Sequence, residues 1–287
     1  MSEITRFAPS PTGHLHLGHA YAALFAADAA GADGTFLLRL EDIDRTRCRA
    51  EFERSIEDDL RWLGLHWPLQ VRRQSEHFIG YGAALEKLKA SGLLYPCFCT
   101  RAAIAAEIQA SAGAPQGPDG PIYPGTCRGL SEGERGERLA RGDAHAWRLD
   151  VARACEHVGD DLSFEETGLG PNGETGRIWT TPEIFGDVVL ARKETPASYH
   201  LAVVVDDALQ GVSLVTRGND LFASTHLHRL LQGLLDLRAP RYRHHRLITD
   251  VSGRRLAKRD EDQTLRALRA NGATPDDIRN SLGLTSR

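Results

Sequence analysis

Nowhere in this 287-residue chain do about 18 apolar residues run together, the length a helix needs to cross a bilayer, so no spanning helix is expected. The opening residues, Met1 to Arg6, lack the charged, apolar and cleavage regions of a signal peptide and pass at once into a strand-like stretch. A cytoplasmic protein is the natural reading. Cysteine is sparse and odd in number: Cys48, Cys97, Cys99, Cys127 and Cys155 do not suggest a disulfide framework in such a setting. An excess of positive charge is missing too. The net charge is -4, so any nucleic-acid contact must come from a local basic patch. There is no Walker A motif and no internal repeat. One G-x-G-x-x-G spacing, Gly168 to Gly173, follows no convincing strand and holds Pro171 inside the turn, which argues against a dinucleotide site.

What is present is a globular composition, 41% hydrophobic and 26% charged. Ile4 to Ala8 reads as a strand followed by the turn chemistry of Pro9-Ser10-Pro11-Thr12-Gly13. An alanine-rich helix from Gly18 to Ala30 comes next, then a strand at Thr35–Leu40 ending in acidic residues. Phe52, Ile56, Leu60 and Leu63 recur at helical spacing, as do Phe78, Tyr81, Leu85 and Leu88. This alternation predicts an α/β fold with a Rossmann-like parallel sheet. Ligands of such sheets sit at the carboxyl ends of strands, where Arg6 and Glu41 fall. The pattern breaks near Pro96 and resumes with Leu201 to Val205, an apolar run read as a buried parallel strand. The expected organisation is therefore 1–95 as the first half of a catalytic domain and 96–195 as a small α+β insertion. Residues 196–245 form the second half, and 246–287 carry a loop and a short helical tail. In that tail Thr274, Pro275 and Asp277 read as N-cap, first turn and capping partner.

Three groups of residues carry candidate chemistry. A proline-rich turn leading to His16-Leu17-Gly18-His19 at a helix start is a phosphate-site arrangement. Gly18 permits close approach, the helix N-terminus supplies free N–H groups, and two histidines can donate to phosphate oxygens. Arg6, Glu41 and Arg217 stand at strand ends. Cys97-Phe98-Cys99 with Cys127 could hold Zn²⁺ tetrahedrally, a fourth ligand being supplied by Cys155 or by a histidine such as His145.

The segment from Pro9 to His19 resembles the first signature of class I aminoacyl-tRNA synthetases in its glutamyl version, and Ser252 to Arg259 resembles the second, a lysine-bearing loop. The resemblance implies that His16 and His19 stabilise the α-phosphate of ATP during attack by an amino-acid carboxylate. It also implies that Lys258 neutralises the departing pyrophosphate, with Mg²⁺ sharing the charge. The second signature departs from the family in having Ala257 and Arg259 where serines are usual. The same resemblance makes Arg6, Phe7, Ala8, Pro9, Ser10, Glu41, Tyr199 and Arg217 a pocket for L-glutamate. Glu41 would take the ammonium, and arginine forks the carboxylates. In that family Zn²⁺ in the insertion is bound by a C-x-C…Y-x-x-x-C pattern, which nominates Tyr123 beside Cys97, Cys99 and Cys127, in a structural role.

Only about 28 residues follow Arg259, too few for an anticodon-binding domain. That shortened plan resembles the glutamyl-Q tRNA(Asp) synthetases. It implies tRNA-independent activation of glutamate, then transfer to the cyclopentenediol of queuosine at the wobble position of tRNA(Asp), by a monomer. Eight Lys/Arg between Arg238 and Arg259, against Asp250 alone, offer a basic patch for RNA. Two other readings stay open: a truncated glutamyl-tRNA synthetase charging tRNA(Glu), and a non-catalytic paralogue binding glutamate or RNA, which the altered lysine loop favours.

Overall fold

The structure, a computed structural model, describes residues 2–110, 115–159, 161–249 and 264–284. The first half runs β1 (Ile4–Phe7), α1 (Leu17–Ala30), β2 (Thr35–Leu40), α2 (Ala50–Trp62), β3 (Arg72–Arg73) and α3 (Phe78–Ala90). Then come β4 (Leu94–Cys97), α4 (Arg101–Ala110), β5 (Gln116–Gly117), β6 (Gly120–Pro121), α5 (Glu132–Ala140), β7 (Ala146–Leu149) and α6 (Val151–Val158). The remainder is β8 (Ser163–Glu166), β9 (Gly176–Trp179), β10 (Val188–Arg192), α7 (Tyr199–Leu209), β11 (Leu214–Gly218), α8 (Phe222–Leu234), β12 (Arg241–His245), α9 (Leu265–Ala270) and α10 (Pro275–Ser281).

Strands β1, β2 and β3 form a parallel sheet, and β11 pairs in parallel with β12. The two sheets abut at β1 and β11, where the Ser213 N–H donates to the Ile4 carbonyl (3.0 Å) and Arg6 reaches the Thr216 carbonyl (3.1 Å). Residue numbers rise together across that seam, so the carboxyl ends of β1, β2, β11 and β12 open on one edge. The alanines of α1 let it lie close on this layer: Ala20, Ala23 and Ala26 are buried, and the Thr5 hydroxyl donates to the Ala26 carbonyl (2.8 Å). Strand β8, from within the 96–195 stretch, pairs with β12, and β9 runs antiparallel beside it. Strands β4, β7 and β10 make a separate antiparallel sheet.

One element differs from the sequence expectation. Leu201 to Val205 lies in a helix, α7, instead of a parallel strand. Ser198 caps it by accepting from the Leu201 N–H, and every residue from Leu201 to Asp207 is buried. A helix enclosed on all sides has no polar face, so its sequence loses the period that separates helix from buried strand. The valines favour strand locally, and packing against α3 and α8 in the largest core cluster overrides that preference. The run's continuation into Asp206-Asp207 has a purpose only in a helix. The two acids point about 100° apart there and serve different partners.

The G-x-G-x-x-G segment does follow a strand, β8, but runs on into β9 and opens no helix, so it lacks the dinucleotide-binding context. At the C-terminus, Thr274 caps α10 in a capping box with Asp277, with Pro275 in the first turn, as the sequence predicts. Arg279 of α10 pairs with Asp28 of α1 (2.7 Å), tying the tail to the sheet's helical cover. Among the described residues no helix is long and apolar enough to cross a membrane.

Candidate active site

A cavity of about 800 Å³ opens where the carboxyl ends of β1, β2, β11 and β12 meet the start of α1. Its wall includes His16, Gly18 and His19 on one side and Arg6, Glu41, Tyr199 and Arg217 on the other. Phe7, Ala8 and Ser10 line it too. Pro9, expected with them, is not on the wall. Its carbonyl accepts the Glu41 N–H (3.0 Å), which fixes the end of β2 against the first turn.

The histidines build the helix start themselves. His16 is the N-cap of α1, and its Nδ1 accepts the Gly18 N–H (3.1 Å). His19 Nδ1 accepts the His16 N–H (3.3 Å), and the rings lie 3.8 Å apart. Because each Nδ1 accepts, each neutral ring carries its hydrogen on Nε2 and is a donor at that end. Gly18 suits the same geometry, since a Cβ there would crowd the His16 ring at 3.0 Å. The chain that enters α9 is attached here as well: the Leu265 N–H donates to the Leu15 carbonyl (2.8 Å), and Thr264 bridges to His16. Lys258 and its neighbours in the second signature lie outside the described residues.

On the opposite wall, acids from α7 organise the arginines. Arg6 holds Asp207 with Nε and a terminal nitrogen (3.0 and 3.3 Å), and Arg39 also reaches Asp207 (2.7 Å). Burial alone would raise the Asp207 carboxyl, but the two guanidinium groups outweigh it and hold it below its ordinary range. Asp206 receives Arg72 (2.7 Å), Gln74 (2.8 Å) and the Tyr81 hydroxyl (2.9 Å). Glu41, beside Arg39 at 3.4 Å, is raised by burial against the pull of Arg39 and Arg6. Arg217 differs. Its Nε donates to His244 Nε2 (3.2 Å), one terminal nitrogen to His228 Nδ1 (3.0 Å) and the other to the Thr225 hydroxyl (2.6 Å). Among the described residues it has no carboxylate at ion-pair distance. Sequence reasoning missed Arg39, Asp206, Asp207, His228 and His244. The only available signal was the Asp-Asp pair closing an apolar run, an odd ending for a core segment.

The cysteine cluster lies apart from this cavity. Cys97, Cys99 and Cys127 place their sulfurs within 4.8 Å of one another, with Cys99 and Cys127 at 3.4 Å. The Tyr123 hydroxyl sits 3.4 Å from Cys97 Sγ and 3.5 Å from Cys99 Sγ. Four ligand atoms round one zinc, at about 2.3 Å each for sulfur, stand roughly 3.8 Å apart, so this group fits a tetrahedral metal. Cys127 also accepts the Phe98 N–H (3.3 Å). Cys155 and His145 are not in the group: Cys155 is on α6 beside Glu183, and His145 Nδ1 bonds the Asp143 carbonyl (3.0 Å).

Two of the basic stretch's eight cations, Arg241 and Arg243, stand on strand β12, and four, Arg254, Arg255, Lys258 and Arg259, lie outside the described residues. Arg241 pairs with Glu3, Arg243 donates to Thr167 (3.2 Å), and Arg246 donates to the Leu282 carbonyl (2.8 Å). Only Arg238 and Arg246 among its described cations are exposed.

Residues 4–286 match the family described as tRNA synthetases class I (E and Q), catalytic domain. The chain is 51% identical to the glutamyl-Q tRNA(Asp) synthetase of Rhodobacter capsulatus, over 98% of this chain and 100% of that protein. It is 43% identical to the protein of the same name from Nocardia farcinica, over 98% of this chain and 85% of the relative. The crystal structure of glutamate-tRNA synthetase from Elizabethkingia anophelis superposes with a TM-score of 0.75 at 27% identity, covering 91% of this chain. This chain spans about half (54%) of that longer synthetase. With its α/β core, strand-end cavity and helix-capping histidines, the chain belongs to the glutamyl-Q tRNA(Asp) synthetase family of class I tRNA synthetase-like ligases.

Proposed function

We propose that this chain activates L-glutamate with ATP, without needing tRNA, and transfers it to the cyclopentenediol of queuosine at the wobble position of tRNA(Asp). The observation that carries the first half is a single cavity with the His16 and His19 rings at a helix start on one wall and, on the other, an arginine with no carboxylate partner among the described residues. The names of the relatives support the second half. Glutamate's α-carboxylate oxygen attacks the α-phosphorus of ATP. An oxygen–phosphorus bond forms, the bond to the β-phosphate oxygen breaks, and pyrophosphate leaves. Nε2–H groups of His16 and His19 stabilise the charge that builds on the α-phosphate oxygens. Lys258 neutralises the pyrophosphate, and bound Mg²⁺ supplies further positive charge to the phosphates. In transfer, a queuosine hydroxyl loses its proton as its oxygen attacks the adenylate's carbonyl carbon, and AMP departs.

Glu41 takes the substrate ammonium, and Tyr199 closes the pocket beside Arg6 and Arg217. Zn²⁺ held by Cys97, Cys99, Cys127 and Tyr123 pins the loops of a 96–195 insertion, a structural role. Residues 1–95 and 196–245 act as the two halves of the catalytic domain, with 246–287 as loop and tail. Incubation with ATP, radiolabelled glutamate and bulk tRNA tests the proposal. Label should enter queuosine-containing tRNA(Asp) and be released by mild base. Label on tRNA(Glu) would instead identify an enzyme that charges the 3′ end.

A further inference from the structure

Arg217 is the one buried cavity arginine whose described partners are all neutral. A guanidinium only donates, so both histidines must accept from it, and that requirement fixes their tautomers. His228 accepts at Nδ1 and therefore carries hydrogen on Nε2, which donates to His200 Nδ1 (3.0 Å). His200 in turn presents Nε2–H to Asp119 (3.3 Å). His244 accepts at Nε2 and carries hydrogen on Nδ1, which Glu166 Oε2 takes at 2.5 Å. Glu166 is held in place by the Gly168 N–H (2.7 Å) and the His244 N–H (3.0 Å), both on its Oε1. His228 and His244 are each 2% exposed. Burial lowers both rings, His228 to well below its ordinary range; Arg217 pushes the same way, and Glu166 pulls His244 back only in part.

A guanidinium has five N–H donors. Three are taken by His228, His244 and Thr225, which leaves one hydrogen on each terminal nitrogen, the pair a carboxylate accepts end-on. Arg6 and Arg39 show the alternative, with Asp207 compensating both. Accepting groups that carry no charge can orient a guanidinium while leaving its charge for the ligand.

We infer that His228 and His244, locked as acceptors by His200 and Glu166, are positioning residues that hold Arg217 oriented but uncompensated, and so set selectivity for an anionic over an amide side chain. This rests on the reading of the cavity as the glutamate pocket. A carboxylate balances the waiting charge, whereas glutamine's amide leaves it buried and unbalanced.

Glu166→Gln tests the lock with almost no change of shape. The amide oxygen keeps both backbone N–H groups, and the amide nitrogen now donates to His244 Nδ1. The imidazole hydrogen must then sit on Nε2, facing the Arg217 Nε–H donor to donor. His228→Leu removes the second acceptor, while His228→Asn keeps an acceptor at the Nδ1 position. Calorimetric titration with L-glutamate and with L-glutamine reads the outcome directly. Glutamate affinity should fall by about tenfold in Glu166→Gln and His228→Leu, and the preference over glutamine should shrink by a similar factor. His228→Asn should recover most of both, and ATP affinity should move less than about twofold in all three. A purely structural role would weaken both amino acids alike and leave the preference intact. Preference unaltered in folded Glu166→Gln, or equal behaviour of His228→Leu and His228→Asn, overturns the inference. The His228 pair decides it alone if Glu166→Gln does not fold. Wild-type protein that prefers glutamate in titration yet catalyses no ATP–pyrophosphate exchange would defeat the activation proposal and leave this inference standing.

Discussion

A buried charge is tolerated only where something answers it, and most charges in this protein are answered in pairs. Asp206 gathers Arg72, Gln74 and Tyr81, while Asp207 is shared by Arg6 and Arg39. Arg217 is the departure, and replacing it by Ala should lower kcat/KM for glutamate by about 30-fold or more in ATP–pyrophosphate exchange, the effect of about 2 kcal/mol. An unchanged value would remove Arg217 from the pocket. Asp59 is the opposite case, a carboxyl 4% exposed whose Oδ2 has no hydrogen-bond partner among the described residues. Burial pushes it up to about 6, against the pull of Arg269. A carboxyl raised in the fold stabilises at low pH and loses that contribution as pH rises through about 6. Asp59→Asn should therefore raise Tm at pH 8 (about two units above that midpoint) and lose the advantage toward pH 5. A gain independent of pH would point to a packing effect. From sequence, Arg6, Glu41 and Arg217 were visible because they stand together at strand ends, where ligands of a parallel sheet sit, and as a set resemble a glutamate pocket. Their partners were hidden because His228 and His244 gain meaning only when α8 and β12 bring them together over Arg217.

Helix α7 serves the site at two levels. It begins with Tyr199 on the cavity wall and carries, two turns on, the acids Asp206 and Asp207 that hold the arginines. Ser198→Ala removes its side-chain cap and should cost about 1 kcal/mol in urea unfolding. Stability within about 0.3 kcal/mol of wild type would show that packing alone defines the helix start. Helix α1 was legible because alanines, a proline-rich turn and His16 mark its start. α7 was misread as a strand because enclosure on every side erased its polar face. Strand β12 lies inside the Arg238–Arg259 stretch read as a basic patch, and its arginines alternate with buried Tyr242 and His244. At the cysteine cluster, zinc should be present at about one per chain, and chelation should release it and lower Tm. Metal-free protein with an unchanged melting curve would contradict the structural role.

Across the whole molecule, parallel strands from both halves deliver their carboxyl ends to one cavity, and the buried histidines sit beneath that edge. His226, His228, His244 and His245 are all lowered chiefly by burial. The unfolded chain titrates them near its ordinary value of about 6.5, so below that pH it binds protons the folded state refuses. Stability from this group is present above about pH 6.5 and is lost as pH falls toward their folded values. Tm should accordingly drop between pH 7 and pH 5 (the span about the ordinary histidine value), and a flat profile would show that these rings protonate freely in the fold. The α/β class and the histidine wall of the cavity followed from motifs that act locally. The seam between β1 and β11 joins residues some two hundred positions apart and has no signature of its own. The central claim, glutamate carried from ATP to queuosine, is tested most directly by mass spectrometry of tRNA(Asp) and tRNA(Glu) after reaction with ATP and glutamate. One base-labile glutamyl ester is expected on the queuosine nucleoside of tRNA(Asp). Glutamate on the 3′ end of tRNA(Glu), with queuosine unmodified, would contradict it.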